Sequence, residues 1–311
     1  MKDNFVNLHV HTHASVGDSV IKVPELVKAV EGYNQDYIAV TDHGSTASWN
    51  ELNNECKNSP VNALFGNEFY CKPTMAKPSD RTRYHLVCIA MNETGLQNIN
   101  KMQSIACRPE HRYYKPLLAH PVLFNHSDGI FISTACSLSY ISQNLLNGEE
   151  DKAYAFLNRL LDIFGADNVA IELQFHPDYA DGDFLVQDFL NDKLIEMYDN
   201  TDCKWLINTF DSHVLYDQDR KNRKNLQSIS WKRSPDEIED TLRSNVLGNS
   251  ELTYQFAHES GIEDDTLIKR CIDNTHRIAE KCCFKKREYD RIIPDFVEHR
   301  HFKQIFCKQI Y

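Results

Sequence analysis

The chain has 311 residues, 41% of them hydrophobic, and a formal net charge of −11. That composition excludes a disordered chain, and the length suits one large domain or a domain with an appendage. The acidity argues against a protein that coats nucleic acid through a basic face. It does not exclude an enzyme acting on one, because carboxylates that hold cations count as negative here.

No run of about 18 apolar residues occurs, so no membrane span is expected. The start, "MKDNFVNLHV", has a single Lys and no long apolar run, and does not read as a signal peptide. The ten cysteines are scattered without a C-x-x-C pair, which suits free thiols in a reducing cytoplasm. A small apolar core residue is the default reading of each.

In chain order, "NFVNLHV" is an apolar strand (Phe5, Val6, Leu8, Val10) that runs into His9, His11 and His13. Period-two alternation predicts three imidazoles on one side of an extended chain. A divalent metal is the commonest partner for such a group. "VPELVKAVEGY" predicts a helix, with Pro24 in its first turn and Leu26, Val27 and Val30 on one stripe. The strand-like runs "YIAVTD", "ALFGNEFY", "YHLVCIA", "GIFISTA", "VAIEL" and "KWLINTF" follow. Among them lie the helical stretches "TGLQNINKMQSIA", "SLSYISQNLL", "EDKAYAFLNRLLDIFG", which closes at Gly165, and "LVQDFLNDKLIEMYDN". Strands separated by helices imply parallel β/α units, and these runs suit a TIM-type barrel of seven strands rather than eight. After about Leu215 charged helical segments take over: "SPDEIEDTLRSN", "SELTYQFAHES" and "DDTLIKRCIDNTHRIAEKCC". Ser234 and Ser250 are their expected starts. The expected organisation is a barrel over 1–215 and a helical extension over 216–311, with "KKREYDR" as the basic-rich spot of the extension, read as solvated surface.

Chemistry in a β/α barrel sits where strands end. The strand ends here carry His9 and His11 with Asp18 a short loop on, Asp42 and His43, Glu68, Cys136, Glu172 and His176, and Asp211 and His213. Each motif alone is weak, and a buried His beside an Asp is more often a satisfied pair. Histidine, carboxylate and thiolate on one rim suit zinc, or zinc mixed with manganese or iron. His85 begins its strand rather than ending it, so the barrel rule sends it to the opposite face.

Together these residues carry a resemblance. From "FVNLHVHTHASVGDS" through "IAVTDHGS", "ALFGNEFYC", "YHLVCIAMNETGLQNI", "GIFISTAC" and "IELQFH" to "NTFDSHVLYDQD" and "NTHRIAEKC", the chain resembles the PHP (polymerase and histidinol phosphatase) domain. The likeness is greatest to the version that opens the alpha subunit of bacterial C-family DNA polymerase III, and it covers roughly residues 4 to 284. It implies a distorted (β/α)7 barrel, an α/β fold with a C-terminal helical appendage, holding three divalent ions of zinc, manganese or iron. The ligands it implies are His9, His11, Asp18, His43, Glu68, His85, Cys136, Asp211 and His213, which places His85 in the site on resemblance alone. His13 stays outside that set, and Asp42 and Glu172 read as supporting carboxylates.

An intact ligand set implies retained hydrolysis of a phosphate ester by a metal-activated water, with no Ser or Cys nucleophile needed. The leading expectation is a metal-dependent phosphoesterase, a DNA 3′–5′ exonuclease. Tyr113, Tyr114 and Phe175 would stack a frayed base, and Arg81, Arg83, Arg108, Arg112 and Lys115 would meet phosphates; surface or core placement competes equally for all of these. The alternatives are a phosphomonoesterase on a small metabolite or nucleotide, and a non-catalytic split module that docks on a separately encoded polymerase. The chain is expected not to polymerise by itself, to act in a cytoplasm, that of the host if phage-encoded, and to have no membrane partner.

Overall fold

Short apolar runs bounded by turns become the strands of a barrel wall in the computed structural model, which describes residues 2–75, 82–181, 184–238 and 242–285. They are β1 (Tyr37–Val40), β2 (Asn62–Lys72), β3 (Tyr84–Ala90), β4 (Ile130–Ser133), β5 (Val169–Gln174) and β6 (Trp205–Thr209). They hydrogen-bond in that order, and Leu118–Ala119 adds a short parallel pairing to the end of β2. The first apolar run closes the circle. Asn7 bridges Ile38 of β1 and Val10 bridges Ser212 just past β6, both in parallel. The His11 amide donates to the Ser212 carbonyl at 2.9 Å, and the Ser212 amide to the His9 carbonyl at 3.1 Å. With that segment the wall has seven members, a distorted β/α barrel.

One member runs the other way. β3 is antiparallel to both β2 and β4, whereas the β1–β2, β4–β5 and β5–β6 pairings are parallel. The start of β3 therefore lies at the rim where its neighbours end, and Tyr70 near the end of β2 is paired with His85. His85 thus comes to the rim, as the resemblance implied and the barrel rule alone did not.

Helices α1 (Val23–Gly32), α2 (Trp49–Cys56), α3 (Glu93–Ala106), α4 (His120–Phe124), α5 (Tyr140–Leu146), α6 (Glu150–Phe164) and α7 (Val186–Asp199) surround the wall. α1 buries the expected stripe of Leu26, Val27 and Val30. The Asn92 side chain caps α3 by accepting from the Gly95 amide, and α6 stops at Gly165, whose φ of 83° favours glycine. After β6 come α8 (Arg220–Trp231), α9 (Ser250–Glu259) and α10 (Asp265–Cys282).

Two of these findings depart from the sequence reading. α8 forms in a part of the expected helical extension that was not singled out as a helix. Of "SPDEIEDTLRSN", the described residues before 239 hold a 3-10 turn, Pro235–Glu237, with a capping box between Ser234 and Glu237, and 239–241 lie outside the described residues. Ile238 is then extended and buried, and Val246, Leu247 and Gly248 run against the barrel. A Cβ on Gly248 would lie 2.3 Å from the Phe210 ring. "KKREYDR" falls almost wholly outside the described residues.

The core has two parts. An outer layer packs the helices on the wall, with Leu26, Phe65, Leu160 and Leu194 among its members. An inner group, including Val6, Leu8, Leu64, Ile89, Phe131 and Ile207, joins Ile278, Ala279 and Cys282 of α10. α10 thus closes the end of the barrel where the first run begins: Thr275 Oγ1 accepts from the Val6 amide at 2.9 Å, and Asn274 donates to the Leu206 carbonyl at 2.9 Å. That leaves the opposite rim for polar side chains.

Candidate metal centre

The chain bends at His9. Leu8 joins the inner apolar group, while His9 and His11 both reach the rim centre. His13 leaves the face on which alternation would place it: its side chain is 51% exposed and lies 3.7 Å from Glu51. The three histidines of "HVHTH" therefore do not share one face.

Glu68, fully buried near the middle of β2, is the hub. Its Oε1 lies 3.3 Å from His9 Nε2 and 3.0 Å from His85 Nδ1; its Oε2 lies 2.5 Å from His43 Nδ1 and 3.5 Å from His11 Nε2. Asp211 Oδ1 is 3.3 Å from His9 Nε2 and 3.0 Å from His11 Nε2. Asp18 Oδ2 is 3.1 Å from His43 Nε2 and 3.3 Å from His213 Nε2. Cys136 Sγ stands 3.4 Å from His85 Nδ1. The His11 ring is sandwiched between those of His43 and His213, at centroid distances of 4.0 and 4.3 Å. All nine residues implied by the resemblance thus meet at one rim. Asp211 and Ala135, next to Cys136, hold φ values of 46° and 61°, a backbone strain that gathers at functional sites.

The charges of the cluster are strongly coupled. Burial raises the carboxyl of Glu68, but the charges of His85, His43 and His9 outweigh it and hold it well below the usual range. Burial likewise opposes ionisation of Asp211 and Asp18, and facing histidines, with Arg223 at Asp18, overcome it. His11 is driven well down by burial and by the charges of His43 and His213, whereas His43 is lifted to about 10 against burial by Glu68 and Asp18. Burial, then Glu68 and Asp211, push the Cys136 thiol well above its ordinary value. Three overlapping groups could each hold an ion: His11, His43 and His213; His9, His11 and Asp211; His43, Glu68 and His85.

The fit to cations rests on orphaned atoms. His9 Nε2, His11 Nε2, His43 Nδ1, His213 Nε2, Glu68 Oε2 and Asp211 Oδ1 are buried and face carboxylates or imidazoles at close range, yet none makes a hydrogen bond of acceptable geometry. Buried polar atoms are nearly always satisfied, and desolvated carboxylate and imidazole lone pairs are the donor set divalent cations take.

The supporting carboxylates are saturated instead. Glu172 accepts from His9 Nδ1 at 2.7 Å, from Thr209 at 2.5 Å and from Ser133. Asp42 accepts from the Thr12 amide at 2.6 Å, from the Thr12 and Ser15 hydroxyls and from Ser48, and Ser15 in turn meets His11 Nδ1 at 3.0 Å. Both carboxylates orient the histidines rather than join the groups above. His176 is buried beside the cluster with Nδ1 2.6 Å from Ser244, and burial lowers it to about 4.

Of the expected stacking aromatics, Phe175 is only 2% exposed and belongs to the outer core, so it cannot stack a base. Tyr114 is 73% exposed. Arg81 and the side chain of Tyr113 lie outside the described residues. Tyr70 was missed: its ring stacks on His43 at 5.5 Å and carries Lys115 5.8 Å above it. Arg223 and Gln227 of α8, both buried and bonded to Asp18, were missed too. The available signal was "RKNRKNLQSISWKR", a run with six cations and no acidic residue in an acidic chain.

Comparison with known proteins follows the same residues. A family model described as "PHP domain" matches residues 7–176. The chain is 29% identical over 248 residues to the DNA polymerase III subunit alpha of Aquifex aeolicus, covering 76% of this chain and 21% of that one. It is 28% identical over 302 residues to the same subunit of Borreliella burgdorferi, covering 95% and 25% respectively. The chain thus spans a fifth to a quarter of the length of these relatives. A two-domain protein from Bacteroides vulgatus, described as containing a predicted PHP-like metal-dependent phosphoesterase, superposes with a TM-score of 0.38 at 13% identity, over 68% of this chain and 54% of its own. No helix among the described residues is long and apolar enough to cross a membrane.

Proposed function

The chain belongs to the PHP-domain family, and from that premise we propose that it is a metal-dependent phosphoesterase whose substrate is DNA, cleaved as a 3′–5′ exonuclease. The observation that carries the reading is the complete ring of donors with its orphaned, mutually facing atoms. His9, His11, Asp18, His43, Glu68, His85, Cys136, Asp211 and His213 would hold three divalent ions of zinc, manganese or iron. Such ions supply an activated water and stabilise charge on phosphoryl oxygens.

The chain's own residues prepare that chemistry. Glu172 fixes His9 by its Nδ1, which leaves Nε2 for the centre. Ser15, held by Asp42, does the same for His11. Burial of Glu68 and His11 removes competing water, which strengthens every interaction in the site. Tyr70 and Lys115 provide an aromatic face under a cation beside His43, a surface suited to a nucleotide end. The name shared by the relatives supports DNA as the polymer, and the free cysteines suit a cytoplasm.

The test is hydrolysis by the purified chain, loaded with manganese or zinc, of single-stranded DNA labelled at its 5′ end. Stepwise shortening that a 3′-phosphate slows supports the reading. Cleavage of a chromogenic phosphomonoester alone replaces it with the phosphatase reading. Cleavage of neither, with the ions bound, replaces it with a module that docks on a separately encoded polymerase.

A further inference from the structure

The Asp18 carboxylate of the cluster is gripped by the C-terminal extension. Arg223 and Gln227 sit four residues apart on α8 and so share one face of it. Arg223 donates through Nε to the Asp18 carbonyl at 2.8 Å and through Nη2 to Asp18 Oδ1 at 2.8 Å. Gln227 Nε2 donates to the same Oδ1 at 2.8 Å. Both side chains are buried, at 8% and 6% exposure. The loop before Asp18 rides close on the helix: Gly17 has a φ of 81°, and a Cβ there would meet the Ser230 hydroxyl at 2.2 Å.

The two donors divide the carboxylate. Oδ1 already accepts two strong bonds, which take up its in-plane lone pairs. Oδ2 is left facing His43 Nε2 at 3.1 Å and His213 Nε2 at 3.3 Å, at the edge of the His11, His43, His213 group. We propose that Arg223 and Gln227 are positioning residues of the metal centre, which lock Asp18 as a one-oxygen donor and so complete the ion position formed with His11, His43 and His213. The helix that carries them lies beyond the segment matched by the family model. On this inference the extension is part of the centre rather than a separate appendage. The inference rests on the proposal that the cluster holds divalent ions.

The experiment measures cation binding by the whole chain, by calorimetry and elemental analysis with Mn²⁺ and Zn²⁺, and by the visible spectrum with Co²⁺. The variants are Arg223→Met, Gln227→Leu and Arg223→Lys, with Lys221→Gln on the exposed face of α8 as control. Arg223→Met should weaken one ion per chain by about 10- to 100-fold, the usual cost of removing a group that orients a ligand. The other ions should be retained, and the cobalt bands should change. Gln227→Leu should do the same to a smaller degree. Arg223→Lys should recover part of the loss, because it keeps the charge but not the planar fork. Should Arg223→Met not fold, Gln227→Leu carries the test, since it removes one neutral donor. Unchanged stoichiometry, affinity and spectrum in folded variants overturn the proposal, as does equal weakening of every ion. If the unaltered chain binds no cation at all, the phosphoesterase reading fails first and this one with it.

Discussion

Asp211 and His11 meet at 3.0 Å yet come from opposite sides of the seam that closes the barrel, one just past β6 and one from the first run. Asp211→Asn and His11→Ala therefore both damage the His9, His11, Asp211 group, through different parts of the chain. Each variant should keep its fold, lose bound metal by elemental analysis, and lose hydrolysis by about a hundredfold or more, the scale of removing one charge-stabilising group. A variant with full metal content and unaltered turnover would remove the site from the chemistry. The carboxylates also set a pH dependence. Glu68, Asp18 and Asp211 are all held well below their ordinary values in the folded chain. Their stabilising contribution is present above the ordinary carboxylate range and is lost progressively as the pH falls below that range toward their lowered folded values. The sign is opposite for His43, lifted to about 10, whose contribution is present below about 6.5 and lost as the pH rises toward 10.

Two elements carry separable expectations. α3 packs so closely that a Cβ on Gly95 would lie 1.8 Å from the Gly129 carbonyl oxygen. Gly95→Ala must push backbone apart, and a loss of about 1–3 kcal/mol in denaturant unfolding is expected, against about 1 kcal/mol for removing the cap with Asn92→Ala. Equal losses would mean that the contact relaxes freely. α4 opens with His120, buried at 6% exposure and stacked on Phe156 at 4.6 Å. Burial lowers its pKa from 6.5 to about 4. The unfolded chain then binds a proton there before the folded one does. Stability from this group is complete above pH 6.5 and falls by roughly 3 kcal/mol by pH 4. His120→Leu should flatten the stability curve in that window relative to the unaltered chain, and an unchanged slope would assign the acid sensitivity to other groups.

For the whole molecule, the candidate metal centre and the fold share one set of residues. The rim draws its donors from the first run, from the ends of β1 and β6, from β2 and β3, and from the loop after β4. With no cation bound, several of their buried atoms lack a hydrogen bond of acceptable geometry. Chelation should therefore lower the melting temperature by about 5–10 °C for ions present near a hundred times their dissociation constants. Restoring Mn²⁺ or Zn²⁺ should reverse the shift. A metal-free chain that melts where the loaded one does would show that the cluster adds nothing to the fold.

Much of the candidate site was legible because chemistry gathers at strand ends: His9, His11, Asp18, His43, Cys136, Asp211 and His213 lie at or just past the ends of apolar runs, whereas Glu68 sits inside a strand that runs on to Lys72. His85 was not legible that way, since hydrophobic alternation is the same in either direction along a strand. Only the antiparallel pairing of β3 brings its first residues to the rim. The face of His13 depended on a turn that alternation does not report. α8 was hidden because its register follows contacts more than 200 residues distant in sequence, from Arg223 and Gln227 to Asp18. The sequence by itself determined the barrel class and the donor types, which follow from local patterning and residue chemistry. Strand direction, the grip of α8 on Asp18 and the closure of the barrel floor by α10 were decided by the tertiary structure, because each is a long-range contact whose energy no local segment contains.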